Sequence, residues 1–346
     1  MPRPLAMPAV AGFLLVLSAA CLPLETDSPP ALTGPYLGQT PPGAEPQVFA
    51  PGIVSTGMYT RDIAMTQDGS EMYWCVMESG YSVIMWSRLV DGRWTEPEVV
   101  PFSADAIHQE VEPHITPDGQ RMLFLSDRRP DGVPLEPEER GRWAYENIWV
   151  VDRVGDGWGE PYLLDAPINS DSTGSFFPSM TRDGSIYFSR SVPDTPGSSI
   201  YRSRLVDGVY SEPERLPSPV NDWGMQFNAF IDPDERFLIV PSRGPEGGDG
   251  RPDYYVTFRS EDDTWSEPVR LPDVIDTGRS GNLSAYISPD GRYFFYLSTR
   301  RTPWEDRPDS LSVETLNEIY EAPGRGNADI WWVDAGFIHE MRAASQ

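Results

Sequence analysis

Two carboxylates, Asp62 and Glu112, stand fifty residues apart at the same place in a repeated phrase, each six residues before an aspartate that opens a turn. A carboxylate pair on neighbouring elements is the pattern of glycoside hydrolysis, in which one acid protonates the leaving oxygen and the other serves as base or nucleophile, roughly 5–9.5 Å away. Few other chemistries are open to the chain. All 27 basic residues are arginine, which excludes Schiff-base, nucleophilic and Walker-type lysines. The 3 histidines, His108, His114 and His339, are too few and too scattered for a multi-histidine metal site, so no metal is expected. No G-x-S-x-G elbow or G-x-G-x-x-G fingerprint follows a strand pattern, so acyl transfer and nucleotide chemistry lack support and no cofactor is expected. A net charge of −26 argues against nucleic acid, because phosphate binding needs a basic face.

The elements that must carry the pair come from an internal repeat. One phrase recurs as IAMTQDGSEMYWCV (63–76), HITPDGQRMLFLSDR (114–128), SMTRDGSIYFSR (179–190), FIDPDERFLIVPSR (230–243) and YISPDGRYFFYLSTR (286–300). A second follows the first four: SRLVDGRWTEPEVV (87–100), DRVGDGWGEPYLL (152–164), SRLVDGVYSEPERL (203–216) and FRSEDDTWSEPVRL (258–271). Each is an apolar–turn–apolar hairpin, mostly on Asp-Gly, and two hairpins make the four strands of one propeller blade. The chain ends in DIWWVDAGFI (329–338), a third strand without its successor, and EPQVFAPGIV (45–54) can supply the missing strand and close the ring. The expected fold is all-β: a single five-bladed β-propeller of antiparallel strands, with room for a sixth blade in the insertions.

Counting six residues back from each turn aspartate gives Asp62, Glu112, Phe177, Asn228 and Ser284. Two residues earlier stand Thr60, Glu110, Ser175, Gln226 and Asn282. Alternation along a strand gives both series one facing, and their polarity suits a wetted central channel. Asp62, Glu112, Asn228 and Asn282 are therefore candidate ligand-binding residues; His114, two residues beyond Glu112, is a further candidate, with an ordinary strand residue as the alternative reading. The Asp-Gly turns are short and alike, so their face reads as structural. The opposite face carries two enlarged loops, 128–147 and 300–328, whose Trp143, Tyr145 and Trp304 could stack on a sugar or peptide or simply pack over the rim. Arg128, Arg190, Arg243 and Arg300 end the second strand in four blades, and a group that recurs with the repeat reads as a cap or intra-blade ion pair. Cys75, inside MYWCV, reads as a small core residue.

The repeated S/T-P-D-G phrase, clearest in ITPDGQRMLFLSDRR and ISPDGRYFFYLSTRR, resembles the TolB-like, WD40-like propeller repeats of bacterial envelope proteins. The resemblance covers about residues 48–338 and implies fold rather than activity, since the shared residues make turns and blade packing. Five-bladed glycosidases place carboxylates on successive inner strands; here Phe177 stands where the third would be. At the N-terminus, Arg3 precedes an apolar run too short to span a bilayer, the pattern of a signal peptide. Leu17-Ser18-Ala19-Ala20-Cys21 resembles a lipobox, with Ser18 where the family has a branched residue or leucine; the resemblance implies a lipid anchor on Cys21. The expected organisation is signal peptide 1–20, Pro/Gly-rich tether 21–46, propeller 47–340 and tail 341–346. The expected role is a non-enzymatic, lipid-anchored module of the cell envelope that binds a protein, peptide or glycan and meets the membrane only through its anchor. The alternative is a carbohydrate-active enzyme using Asp62 and Glu112.

Overall fold

The computed structural model describes residues 32–143, 145–170, 173–191, 197–222, 224–243, 252–275, 283–302 and 309–345. Cys21, Asn282, Trp304 and the signal segment lie outside the described residues.

The repeat folds into five antiparallel blades arranged as one propeller. Blade 1 takes Tyr59–Met65, Glu71–Glu78, Tyr81–Val90 and Glu98–Val99. Blade 2 takes Glu110–Ile115, Arg121–Ser126, Asn147–Val154 and Tyr162–Leu163. Blade 3 takes Gly174–Met180, Ile186–Ser191, Ser198–Ser203 and Glu214–Arg215. Blade 4 takes Phe230–Ile231, Phe237–Ser242, Asp253–Phe258 and Val269–Arg270. Blade 5 takes Leu283–Ile287, Tyr293–Ser298 and Asp329–Asp334, and its fourth strand is Gln47–Val48 from the other end of the chain. The register Gln47↔Trp332, Val48↔Trp331 closes the ring as the two termini predicted.

Turn chemistry explains the repeat. The hydroxyls of Thr66, Thr116, Thr181 and Ser288 donate to Oδ1 of Asp68, Asp118, Asp183 and Asp290, which also accepts the backbone N–H two residues on. Gly69, Gly119, Gly184 and Gly291 then take φ of 68–90°, where a side chain is strained. Blade 4 differs: Asp232 replaces the hydroxyl residue, and Glu235 occupies the left-handed position at φ 54°. Each outer strand begins directly after Pro97, Pro161, Pro213 or Pro268, so the missing N–H falls outside the ladder.

The hydrophobic core is a ring of five seams, one between each pair of neighbouring blades. Ile84, Trp86, Met122 and Phe124 fill the seam of blades 1 and 2 with Cys75, and Phe49, Trp74, Phe295 and Trp332 fill that of blades 5 and 1. Two short α-helices are present among the described residues. α1 (Val313–Glu321) lies in the 300–328 loop and α2 (Gly336–Ala344) follows the last strand. The apolar run read as a strand through residue 338 thus stops at Asp334, and Phe337, Ile338 and Met341 pack on the blade 4–5 seam. That apolar stretch is too short for helical periodicity to stand out from strand alternation.

The segment 21–46 also needs correction from residue 32 onward. Leu37 is buried, Tyr36 donates to Asp290 Oδ2 at 2.9 Å, and Trp94 Nε1 donates to Gly34 O at 2.8 Å, so this part is laid against the propeller. Its leucine and tyrosine supply apolar surface that the blade 5–1 seam buries. Among the described residues no helix is long and apolar enough to cross a membrane.

Candidate functional site

The channel wall is built around a repeated bulge. The innermost ladder slips by one residue between Arg61 and Ala64, Val111 and His114, Phe176 and Ser179, and Leu283 and Tyr286. Asp62, Glu112, Phe177, Asn228 and Ser284 all have positive φ, between 49° and 63°. Such a conformation costs a non-glycine residue of order 1–3 kcal/mol and persists only where its surroundings fix it. These are the five residues that counting back from the turns selects, so the sequence finds the belt without revealing the bulge.

The belt is buried and cross-linked. The Arg61 guanidinium spans both carboxylates: Nη2 donates to Glu112 Oε1 at 3.0 Å, and Nε stands 2.6 Å from Asp62 Oδ2, at an angle that makes an ion pair rather than a hydrogen bond. Asp62 Oδ1 accepts from the Ser284 hydroxyl, and Oδ2 from Glu112 N at 3.2 Å. Glu112 Oε2 accepts from Phe177 N at 2.7 Å, and Oε1 also from Asn228 Nδ2 at 3.4 Å. Each carboxylate therefore holds the backbone of the next blade. Burial pushes the Glu112 carboxyl well above its ordinary range, with Arg61 opposing and Asp62 adding to the rise.

The earlier series does not share this facing. Thr60 donates to Val54 O at 3.2 Å, Ser175 to Ile168 O at 2.8 Å, and Glu110 pairs with Arg128 at 2.5 Å. These partners lie at the entry to each blade, not on the axis. The left-handed bulge residue swings its side chain out of the strand's alternation, so the period-two argument fails across it. Burial raises Glu110 to about 7, with Arg128 opposing.

Four residues before each turn aspartate lies a second ring: Ala64, His114, Ser179, Phe230 and Tyr286. Met65 N donates to Tyr286 Oη at 3.1 Å, Met180 N to His114 Nε2 at 3.0 Å, and Ile231 N to Ser179 Oγ at 3.1 Å, each from the next blade. His114 thus accepts through Nε2 and carries its proton on Nδ1, and burial holds its pKa down to about 4. Between the two rings the channel narrows to about 20 Å³, bounded by Asp62, Glu112, His114, Ser179, Ser284 and Tyr286. Beyond the second ring it widens into a funnel of about 250 Å³ that opens among the turns of Pro117, Pro233 and Pro289. The axial cavity therefore opens on the face that the short turns made look purely structural.

Of the remaining candidates, Trp143 packs against the blade 1–2 seam, which is rim packing, and Tyr145 donates to Glu139 Oε1 at 3.0 Å. Three of the four repeated arginines cap the links between blades, and Arg243 is exposed. Arg128 reaches Phe102 O at 2.9 Å, Arg190 reaches Pro167 O at 3.1 Å and Ile168 O at 2.5 Å, and Arg300 reaches Val274 O at 2.9 Å. Sequence reasoning missed Asn169 and Asn221, whose amides accept from the N–H and donate to the C=O of Ile148 and Ile200, stapling each link to a third strand. The recurrent proline-x-asparagine in PIN and PVN was the signal available.

The fold is similar to that of several solved propellers. A TolB from Acinetobacter baumannii matches at 16% identity and TM-score 0.43, over 80% of this chain, which spans only 57% of that protein's length. A TolB-type protein from Agrobacterium tumefaciens matches at 16% identity and TM-score 0.45, over 80% of this chain and 90% of that one. A Bacillus subtilis arabinanase matches at 10% identity and TM-score 0.44, over 81% and 95%. No protein-family model and no curated protein sequence matches the chain. Likeness at this level concerns the propeller fold, and no activity is carried across with it.

Proposed function

We propose that the chain is a lipid-anchored, extracytoplasmic binding module that captures a protein on its long-loop face. The observation that carries this reading is α1. None of its side chains is buried, and it presents Val313, Leu316 and Tyr320 at 76%, 50% and 67% exposure. Leu311 extends the stripe at its start, and Met58 is exposed next to Gly57, which abuts the helix end at Glu321. Contiguous exposed apolar surface of this kind marks interaction sites more often than chance. Glu314, Glu318 and Glu321 occupy the other side of the helix, and the chain carries −26 overall. The fitting partner is a protein with an apolar groove edged by arginine or lysine, entered by a helix at i, i+3 and i+7.

A photo-crosslinker at position 316, with one at Gln120 on the turn face as control, identifies the partner. The purified partner is then expected to bind at least tenfold more weakly to Leu316→Glu, a loss of about 1.4 kcal/mol, and more weakly as salt rises. Equal affinity for that variant, or equal crosslinking from both positions, removes the reading. The anchor is tested apart from this: Cys21→Ser should release the protein from membranes, and wild-type protein that is already free of them removes the anchor.

The glycosidase alternative rests on Asp62 and Glu112. Every oxygen of the pair accepts from protein, and the space between them, about 20 Å³, holds one water rather than a sugar ring. These facts support a structural role for the pair and weigh against the enzyme reading.

A further inference from the structure

We propose that the turn-face funnel is a separate binding site for a small uncharged molecule, which it holds through a carbonyl oxygen or an equivalent acceptor. It lies on the face opposite α1 and stands independently of the protein-docking reading.

His114, Ser179 and Tyr286 each use a lone pair to accept an amide N–H from the next blade. What remains to each is a donor: Nδ1–H of the imidazole and the two hydroxyl hydrogens. Among the described residues none of these hydrogens has a protein acceptor. The side chains of His114 and Tyr286 line both the constriction and the funnel, and Ser179 lines the constriction. Donors lining one floor select a ligand that accepts, because a ligand that displaces water from them without accepting leaves each bond unmade, at a cost of about 1–3 kcal/mol.

Charge narrows the class. Asp62 and Glu112 bound the constriction directly above this floor, sharing the Arg61 guanidinium between them. At the rim Arg182 is tied to Asp234 at 2.9 Å and Arg236 to Asp232 at 2.7 Å. A carboxylate entering the funnel would approach two carboxyl groups with no uncommitted cation to answer it. A neutral carbonyl meets the same donors without that repulsion.

Walls and size set the body. Phe230 and Tyr286 meet edge to face at 5.7 Å, and Met65, Ile115, Met180 and Ile287 add apolar surface beside them, while Gln67, Thr116 and Ser288 keep the rest of the wall polar. The funnel's 250 Å³ has room for roughly eight water-sized groups at ~30 Å³ each, so it fits one ring and a substituent, not a polymer.

Calorimetric titration of the full chain with N-methylbenzamide tests this, with benzoate and toluene as the charged and acceptor-free controls. N-methylbenzamide should bind one to one, benzoate and toluene at least tenfold more weakly, and Tyr286→Phe should weaken the amide at least fivefold. Because Tyr286→Phe also frees Met65 N–H, a second measurement is made on wild-type protein labelled with ¹⁵N-histidine. The His114 Nδ1–H resonance should move on adding the amide and stay in place with toluene. Benzoate binding as well as the amide, a His114 resonance that does not move at saturation, or no binding of the amide at millimolar concentration overturns the proposal.

Discussion

The two rings of the channel come from the same five strands, two residues apart, and they have opposite fates. At the bulge level, Asp62 and Glu112 spend their oxygens on Arg61, Ser284 and the backbone of the next blade, and the space they bound is about 20 Å³. At the level below, His114, Ser179 and Tyr286 also brace the next blade, but they do so with lone pairs and keep a hydrogen in reserve. Carboxylates have only acceptors to give, so a carboxylate that braces the fold has little left for a ligand. Hydroxyls and a neutral imidazole can do both. The more chemically suggestive ring is thus the structural one, and the plainer ring faces the open cavity.

The difference predicts unequal costs. Arg61→Met leaves Asp62 and Glu112 buried against each other and should cost about 3–5 kcal/mol in urea unfolding. Tyr286→Phe loses one neutral hydrogen bond and should cost about 1 kcal/mol. Similar losses at both levels would break the distinction.

Protonation separates the blade entry from the lower ring by sign. Glu110, beside the bulge belt, is raised to about 7 when folded. The folded chain therefore binds that proton more tightly, and stability from this group is full below pH 4.5 and lost as pH rises to about 7. His114 on the lower ring is depressed to about 4. Its contribution is full above pH 6.5 and is lost as pH falls toward 4. The two slopes oppose each other in wild type between these limits. Relative to wild type, Glu110→Gln should make stability rise with pH across that window, and His114→Phe should make it fall, each by about 1–3 kcal/mol. Parallel profiles for the two variants would show that neither proton is coupled to folding.

Much of this was legible before folding. The repeat, the turn aspartates and the two ends gave the blade count and the ring closure, because turn chemistry is local and hydrophobic alternation is coarse. Counting back from the turns found Asp62, Glu112, Asn228 and Ser284 as one axial ring. The belt's role was not legible, since a bulge appears only when two strands are paired and their registers compared. Thr60, Glu110 and Ser175 were misplaced for that reason. The funnel was missed because its rim is made of Pro117, Pro233 and Pro289, residues already accounted for by turns. α2 was hidden by an apolar run that serves strand and helix alike.

The smallest effect concerns the left-handed positions themselves. Asp62, Glu112, Asn228 and Ser284 carry side chains at positive φ and all four have hydrogen-bond partners, whereas the inner-hairpin turns of blades 1, 2, 3 and 5 use glycine, which takes the same region freely. Glu235 is the test case, a turn residue at φ 54° that is not glycine. It accepts from the Tyr187 hydroxyl at 2.7 Å and pairs with Arg259 at 3.1 Å, linking blade 4 to blade 3. Glu235→Gly should relieve about 1 kcal/mol of backbone strain and lose about 1 kcal/mol of hydrogen bonding, leaving stability within about 1 kcal/mol of wild type. Gly119→Ala, with open space around the new methyl but φ 69°, has only the strain to bear and should cost about 1 kcal/mol. If thermal melts instead show Glu235→Gly clearly more stable than wild type, the glutamate's contacts contribute nothing. Left-handed side chains in this propeller would then not need a partner to persist, and the bulge belt could no longer be explained by what Asp62 and Glu112 hold.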